Sequence, residues 1–390
     1  MIPVDEALAH LFSLTQVMDI EEIPLRYAAG RVLARDVVAM RTQPPFSASS
    51  MDGYALRRAE VEPDAMFKVV GESAAGHRYT GSLHAGQAIR IFTGAPVPEG
   101  ADFIVIQEDV TRRGDLITLG HSVGKKDNIR PAGGDFSKGQ SVKAPRRLRP
   151  ADIALLASMN IASVPVRRKP VVAILATGDE LVQPGDVPGP DQIIASNTYG
   201  LAAQLDALGA DTRLMPISAD TEASLRRSFE LAQDADLIVT IGGASVGDHD
   251  LVAPVAAAMG MEQSFYKVAM RPGKPLMAGR LGSAAMVGLP GNPVSAMVCG
   301  TIFVTPMVSA MLGLDQNAAP RRLVPLAEDI PANGPREHYM RARIDDGQVI
   351  AETQQDSSLL SVLASADALL VRPPHDPAHA AGTLVQVIDI

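Results

Sequence analysis

Val4, Ala7, Leu8, Leu11 and Leu14 recur at the spacing of one helical face, with Asp5 and Glu6 where a first turn favours negative charge. The chain is therefore predicted to open on an amphipathic packing helix. From Phe46 to about Pro145 the pattern shortens to the β-type runs Phe67–Val70, Ala88–Phe92, Phe103–Gln107 and Leu116–Leu119, punctuated by Gly and Pro, which predicts a separate β-rich module. Arg149-Pro150-Ala151-Asp152 then opens a helix through Met159, its Pro placed where a first turn tolerates a missing N–H. The basic stretch from Val166 to Pro170 reads as a solvated linker.

Between Pro170 and Ser295 a continuous apolar run stops three times at a Gly-rich loop. Val171–Ala176 leads into Thr177-Gly-Asp-Glu180, Leu237–Ile241 into Gly242-Gly-Ala-Ser-Val-Gly-Asp248, and Ala284–Leu289 into Pro290-Gly-Asn-Pro293. Such runs alternate with helical stretches, Asn197–Leu208 and Thr221–Ala232, and so read as buried parallel strands of a doubly wound α/β domain. Open α/β sheets bind ligands beyond the carboxyl ends of their strands, so the three loops should share one site. After Pro320 short strands return, at Val324–Ala327, Tyr339–Ile344, Val349–Glu352, Ala368–Val371 and Leu384–Ile388, and predict a small β-barrel or sandwich.

Composition narrows the class. The 390 residues are 46% hydrophobic and 20% charged, enough for several packed cores. A net charge of −9 supplies no overall basic field, so neither nucleic acid nor an anionic membrane is an expected partner, and any anion must be caught locally. The single Cys299 rules out an internal disulfide framework and lies in the apolar stretch Val294–Val308, where it is expected as a buried small hydrophobe. That stretch is interrupted by Pro306 and is not expected to span a bilayer. Met1-Ile-Pro-Val-Asp-Glu6 lacks a basic leader pattern, and a reducing cytoplasm is the expected location.

The loops carry two opposite kinds of group. Asp179, Glu180, Asp248 and Asp250 are carboxylates just past strand ends, suited to a hard divalent cation; Lys267, Arg271 and Lys274 crowd into one segment and suit phosphate or another oxyanion. Gly242-Gly-Ala-Ser245 offers backbone N–H groups but matches neither the P-loop nor the dinucleotide fingerprint. Leu289-Pro-Gly-Asn-Pro293 is a corner stiffened by two prolines. Residue chemistry alone stops at a metal-dependent enzyme acting on a phosphorylated or nucleotidyl substrate.

Taken in order, Ser49-Ser-Met-Asp-Gly-Tyr-Ala55, Arg90-Ile-Phe-Thr-Gly-Ala-Pro-Val-Pro98, Asn128-Ile-Arg130 with Gly134-Asp135, Thr177-Gly-Asp-Glu-Leu181, Gly242-Gly-Ala-Ser-Val-Gly247, Arg271-Pro-Gly-Lys-Pro275 and Leu289-Pro-Gly-Asn-Pro-Val-Ser-Ala296 resemble the MoeA and gephyrin E-domain family of molybdopterin molybdenumtransferases, over essentially the whole chain. The resemblance implies insertion of molybdate into adenylylated molybdopterin with release of AMP. It also implies a multidomain α/β fold. In that fold residues 1–45 with 146–169 form an N-terminal helix and a discontinuous linking domain, 46–145 a β-rich module, 170–318 a doubly wound molybdopterin-binding domain and 319–390 a C-terminal β-barrel.

On the same basis Asp52, Asp135, Glu180, Asp220 and Asp250 are assigned to the metal and anhydride side, with Mg²⁺ held by Glu180, Asp52 and Asp250. Lys267, Arg271, Lys274 and Ser295, joined by Arg336 and Ser357, are assigned to the oxyanion. Of these, Lys267 and Arg271 are counted with the acids Asp52, Asp135, Glu180 and Asp250 as catalytic. Thr93, Gly242, Gly243, Ser245 and the corner Pro290, Gly291, Asn292 and Pro293 are expected to contact substrate. Arg271 stands where the family often has Lys, and Asp356 where Gly is common before the Ser, so the geometry around both should differ. The family further implies a homodimer whose sites draw on both protomers, with transient contact to the pathway adenylyltransferase and to acceptor molybdoenzymes. An adenylyltransferase would not need the flanking β modules, and a non-catalytic scaffold would not need the acids at Asp52, Asp135, Glu180 and Asp250.

Overall fold

Val171–Ala176, Leu237–Ile241 and Ala284–Leu289 lie side by side and parallel at the centre of a six-stranded sheet in the computed structural model, which describes residues 1–243 and 250–390. Asp211–Leu214 adds a fourth parallel strand outside Val171–Ala176, while Met277–Leu281 and Glu262–Tyr266 extend the other edge antiparallel. The continuous apolar runs are explained by burial on both faces. Val172 and Ile174 point into a core shared with the helices Asn197–Ala207 and Pro293–Met311; Ala173 and Leu175 point into a second core under Glu222–Leu231 and Val252–Ala258. Thr221 caps Glu222–Leu231 by accepting from the Ser224 N–H at 3.3 Å.

The apolar helix Pro293–Met311 is long enough to cross a membrane, but 78% of its most apolar window is buried inside the protein, so it is a core helix. It passes Pro306, where an α-helix loses a donor, by widening into a π turn at Gly300–Val304. Cys299 is fully buried in it, and burial pushes its thiol far above the ordinary range.

The opening helix, Val4–Leu14, buries Val4, Ala7, Leu8 and Leu11 in the first of these cores. Its preceding residue Ile2 pairs with Val268, donating to the Lys267 carbonyl at 3.2 Å. The linking unit is a four-stranded antiparallel sheet ordered Ile20–Pro24, Ser163–Arg167, Val32–Leu33 and Arg146–Arg147, with Pro150–Ser158 packed on it through Leu156. Residues 46–145 contain a second six-stranded sheet ordered Phe103–Ile106, Gly53–Leu56, Gln87–Ile91, Met66–Ser73, Leu116–Leu119 and Val110–Arg113.

The C-terminal strands run Glu337–Asp345, Ala368–Arg372, Leu384–Asp389, Arg322–Pro325, and return to Gln348–Ala351, which pairs with the first. The bridge Leu326–Val349 and the Ala327 N–H to Val349 carbonyl bond at 3.0 Å close them into a small barrel. Closure removes the exposed edges that a sheet of this size would otherwise leave. One further strand of this sheet comes from the cationic segment. Met270–Arg271 pairs parallel with Glu337–Asp345, so the cationic segment belongs to the seam between the barrel and the doubly wound domain.

The stretch from Val166 to Pro170 is not a solvated linker. Arg167 ends a strand and donates to the Met18 carbonyl at 2.9 Å, and Arg168 forks onto Asp236 at 2.8 and 2.9 Å. Asp236 also accepts from the Val171 N–H at 2.7 Å, which ties the entry of the first central strand to that of the second. Burial raises the Asp236 carboxyl, but the Arg168 guanidinium and the Val171 N–H outweigh it and hold the group below the usual value. Asp236→Asn should therefore lower stability by about 1–3 kcal/mol near neutral pH. Because the folded pKa lies below the unfolded one, that contribution is complete above about pH 4 and is lost as pH falls through the folded value. Urea unfolding of both proteins at pH 7 and at pH 3.5 checks this; a gap that fails to narrow in acid removes the pair from the account.

Candidate functional site

A crevice of about 760 Å³ opens beyond the carboxyl ends of the three central strands. Its floor prolongs the parallel ladder past the strands: Thr177 N–H donates to the Ile241 carbonyl and Gly242 N–H to the Leu289 carbonyl, both at 3.1 Å. Successive loops are therefore stitched to one another and held at the same level. Gly178 N–H reaches the Ser218 carbonyl at 3.1 Å, and Asp179 Oδ1 accepts from the Asp220 N–H at 3.0 Å, which brings Asp220 to the rim. Gly242 has a φ of +94°, and a Cβ there would stand 2.8 Å from the Thr177 carbonyl oxygen, so only glycine lets these two loops close together.

The corner Pro290–Pro293 is held from both sides. Asn197 Nδ2 donates to the Gly291 carbonyl at 2.8 Å, Asn292 Nδ2 to Ser357 Oγ at 3.1 Å, and Val294 N–H to the Ser357 carbonyl at 3.0 Å. Ser357, from the barrel domain, thus satisfies a donor in the helix's first turn.

Glu180, Asp220, Gly242, Gly243, Asp250 and Pro290 to Pro293 all line the crevice, as does Pro275, the neighbour of Lys274. Ser295 is buried in the first turn of the helix beneath the corner. Lys267 has a φ of +73° and sets its ammonium 5.1 Å from the Tyr266 ring centre. Arg271 and Arg336 meet at the barrel seam, where Arg336 Nη1 donates to the Met270 carbonyl at 3.3 Å. Ser245 and Asp248 lie outside the described residues. A larger cavity of about 900 Å³ beside the helix Asn197–Ala207 is mainly apolar and includes none of the expected acids or cations.

Asp52, Thr93 and Asp135 do not line this crevice. They belong to the β-rich module, where Asp52 Oδ1 accepts from the Thr93 N–H at 2.7 Å and its hydroxyl at 2.8 Å. Those two bonds, the backbone one first, hold the Asp52 carboxyl below its usual value and so keep it ionised.

Three family models match most of the chain in order: the MoeA N-terminal region (domain I and II) over residues 2–160, a probable molybdopterin binding domain over 173–310, and the MoeA C-terminal region (domain IV) over 324–390. A molybdopterin molybdenumtransferase of Haemophilus influenzae is 36% identical over 81% of this chain and 79% of its own length. One of Bacillus subtilis is 33% identical over 99% and 94%. The chain belongs to the molybdopterin molybdenumtransferase family. The crystal structure of a MoeA protein of molybdopterin biosynthesis from Pyrococcus horikoshii superposes with a TM-score of 0.86 at 27% identity, each chain fully covered.

Two polar residues of this molybdenumtransferase-family chain escape a motif search. His338 and Arg341 are buried beside Arg271, and burial together with the surrounding arginines lowers His338 to about 4, so it is neutral near pH 7. The available signal is alternation, which puts Arg341 on the same face of the run Tyr339–Ile344 as Tyr339. For the crevice itself, Gly242→Ala should cost at least about 1–2 kcal/mol from the left-handed backbone alone, with the carbonyl clash added. Far-UV circular dichroism should stay unchanged while ligand binding at the crevice is lost; retained binding would show that the loops do not need this close approach.

Proposed function

We propose that this chain is a transferase of molybdenum cofactor biosynthesis that works as a homodimer in the cytoplasm, inserting molybdate into adenylylated molybdopterin and releasing AMP. The observation that carries this is the division of charge: carboxylates and Gly-rich turns line the crevice at the strand ends, while Arg271 and Arg336 lie along the adjoining barrel seam. The crevice has the form for a phosphorylated pterin, and the seam has the charge for an oxyanion. Carboxylates cannot hold molybdate, so the two substrates take separate halves.

The donor types of Glu180 and Asp250 fit Mg²⁺, but no group of three His, Cys, Asp or Glu side chains converges among the described residues. The described residues of one chain thus supply two of the three expected ligands, and Asp52 of a second copy would add the third. Bound there, Mg²⁺ would supply charge neutralisation at the anhydride. Glu180 then orients the attacking water, one anhydride P–O bond breaks, and AMP leaves; the two dithiolene thiols bond to the molybdenum of molybdate held at the seam in place of oxygen, which leaves as water with the thiol protons. The closely spaced glycines and the rigid proline corner let substrate lie against backbone with little ordering left to do on binding.

A site shared between protomers has a sharp test. In a mixed dimer of Asp52→Ala with Glu180→Ala, shared sites give one site combining both intact modules and one carrying both lesions, whereas sites within one chain are all damaged. Purifying the mixed dimer by two tags and measuring AMP release from adenylylated molybdopterin with Mg²⁺ and molybdate should give about half of wild-type activity. A folded mixed dimer with none would sink the shared site.

A further inference from the structure

Lys267 follows the strand Glu262–Tyr266 with a φ of +73°, a left-handed conformation that strains a residue with a long side chain. Alternation shows what this turn achieves. Phe265 faces the core shared with the opening helix, whereas Tyr266 packs against the second core on the other side of the sheet. An extended Lys267 would follow Phe265; the left-handed turn instead lays its ammonium 5.1 Å from the centre of the Tyr266 ring. The surroundings hold the strained backbone at both of its polar groups: Lys267 N–H donates to the Leu276 carbonyl at 2.9 Å, and the Lys267 carbonyl accepts from the Ile2 N–H at 3.2 Å. Val268 N–H donates to the Lys274 carbonyl at 3.1 Å, so both lysines stand at the base of the loop that carries Arg271.

Lys267 makes no ion pair among the described residues, and the ring is what receives its charge. A lysine left free samples many rotamers, and an aromatic face removes that freedom without neutralising the ammonium. A carboxylate partner would compete with an incoming anion, but a ring does not. Burial, with the charge of Asp250 added, raises the Tyr266 phenol above its ordinary value, so Lys267 rests on a neutral phenol within the field of a crevice acid. We propose that Tyr266 is a positioning residue for Lys267: its ring holds the ammonium at the base of the Arg271 loop, fixed in place and uncompensated. This rests on the assignment of Lys267 to the oxyanion. Tyr266 acts through Lys267 and not on a substrate itself.

The test uses the full-length chain with Y266L, Y266F, Y266W and K267M, measuring AMP release in the presence of Mg²⁺ with molybdate and adenylylated molybdopterin each varied. Y266L, which keeps apolar bulk but no ring, should raise the KM for molybdate about three- to tenfold, with the KM for the pterin nucleotide unchanged and kcat little affected. Y266F and Y266W restore an aromatic face and should recover most of that loss, Trp at least as well as Phe. A lower melting temperature in Y266L with the wild-type KM for molybdate would reduce the ring to packing and overturn the proposal. Equal losses in Y266L and Y266F would place the effect on the hydroxyl and overturn it too. Should Y266L fail to fold, Y266M, also apolar and ringless, decides by the same comparison with Y266F. K267M separates the proposal from the assignment beneath it. A wild-type KM for molybdate in K267M overturns the assignment of Lys267 to the oxyanion; a raised KM or lost activity in K267M beside an unchanged KM in Y266L overturns only the role of Tyr266.

Discussion

The register of three parallel strands governs the rest of the structure. Val172, Leu237 and Ala285 stand side by side, and the ladder continues past the strand ends through Thr177 and Gly242. Loops leaving a sheet in step must emerge at one level, so chemistry dispersed over more than a hundred positions of sequence is gathered without any loop reaching far. The glycine at 242 is the local price of that convergence, since two backbones meet where a side chain would stand.

Charge is arranged on top of this scaffold by domain. The doubly wound unit contributes acids to the crevice, whereas the barrel, closed on itself by the Leu326–Val349 bridge, presents arginines along the seam. Ser357 joins the two by bonding to the proline corner. Groups of opposite charge are thereby kept in separate parts of the molecule, the acids at the strand ends and the arginines at the seam.

The central strands, the flanking helices and the crevice residues Glu180, Asp220, Asp250 and Pro290–Pro293 were legible because each depends on a local pattern: continuous apolar runs, a capping Thr, a Gly or Pro at a strand end. What escaped depends on distant partners. Arg168 looks like any solvated cation until Asp236 is placed beside it, and Met270–Arg271 looks like a loop until the barrel strand Glu337–Asp345 supplies its ladder. Arg341 sits inside an apolar run, where strand alternation turns it inward, but only the folded seam shows what it holds. Asp52 and Asp135 share no crevice with Glu180 within one chain, and no spacing in the sequence shows that separation.

The segment from Lys267 to Pro275 answers to three masters at once. Its start is pinned to Ile2 ahead of the opening helix, Met270–Arg271 is a rung of the barrel sheet, and Pro275 is part of the crevice wall. A short strip with anchors on separate bodies is a lever. Any tilt of the barrel would swing the Arg271 charge while Pro275 stays with the crevice, so the spacing between the two halves of the site is set by how the barrel is seated, and a change remote from both halves could alter it without touching either.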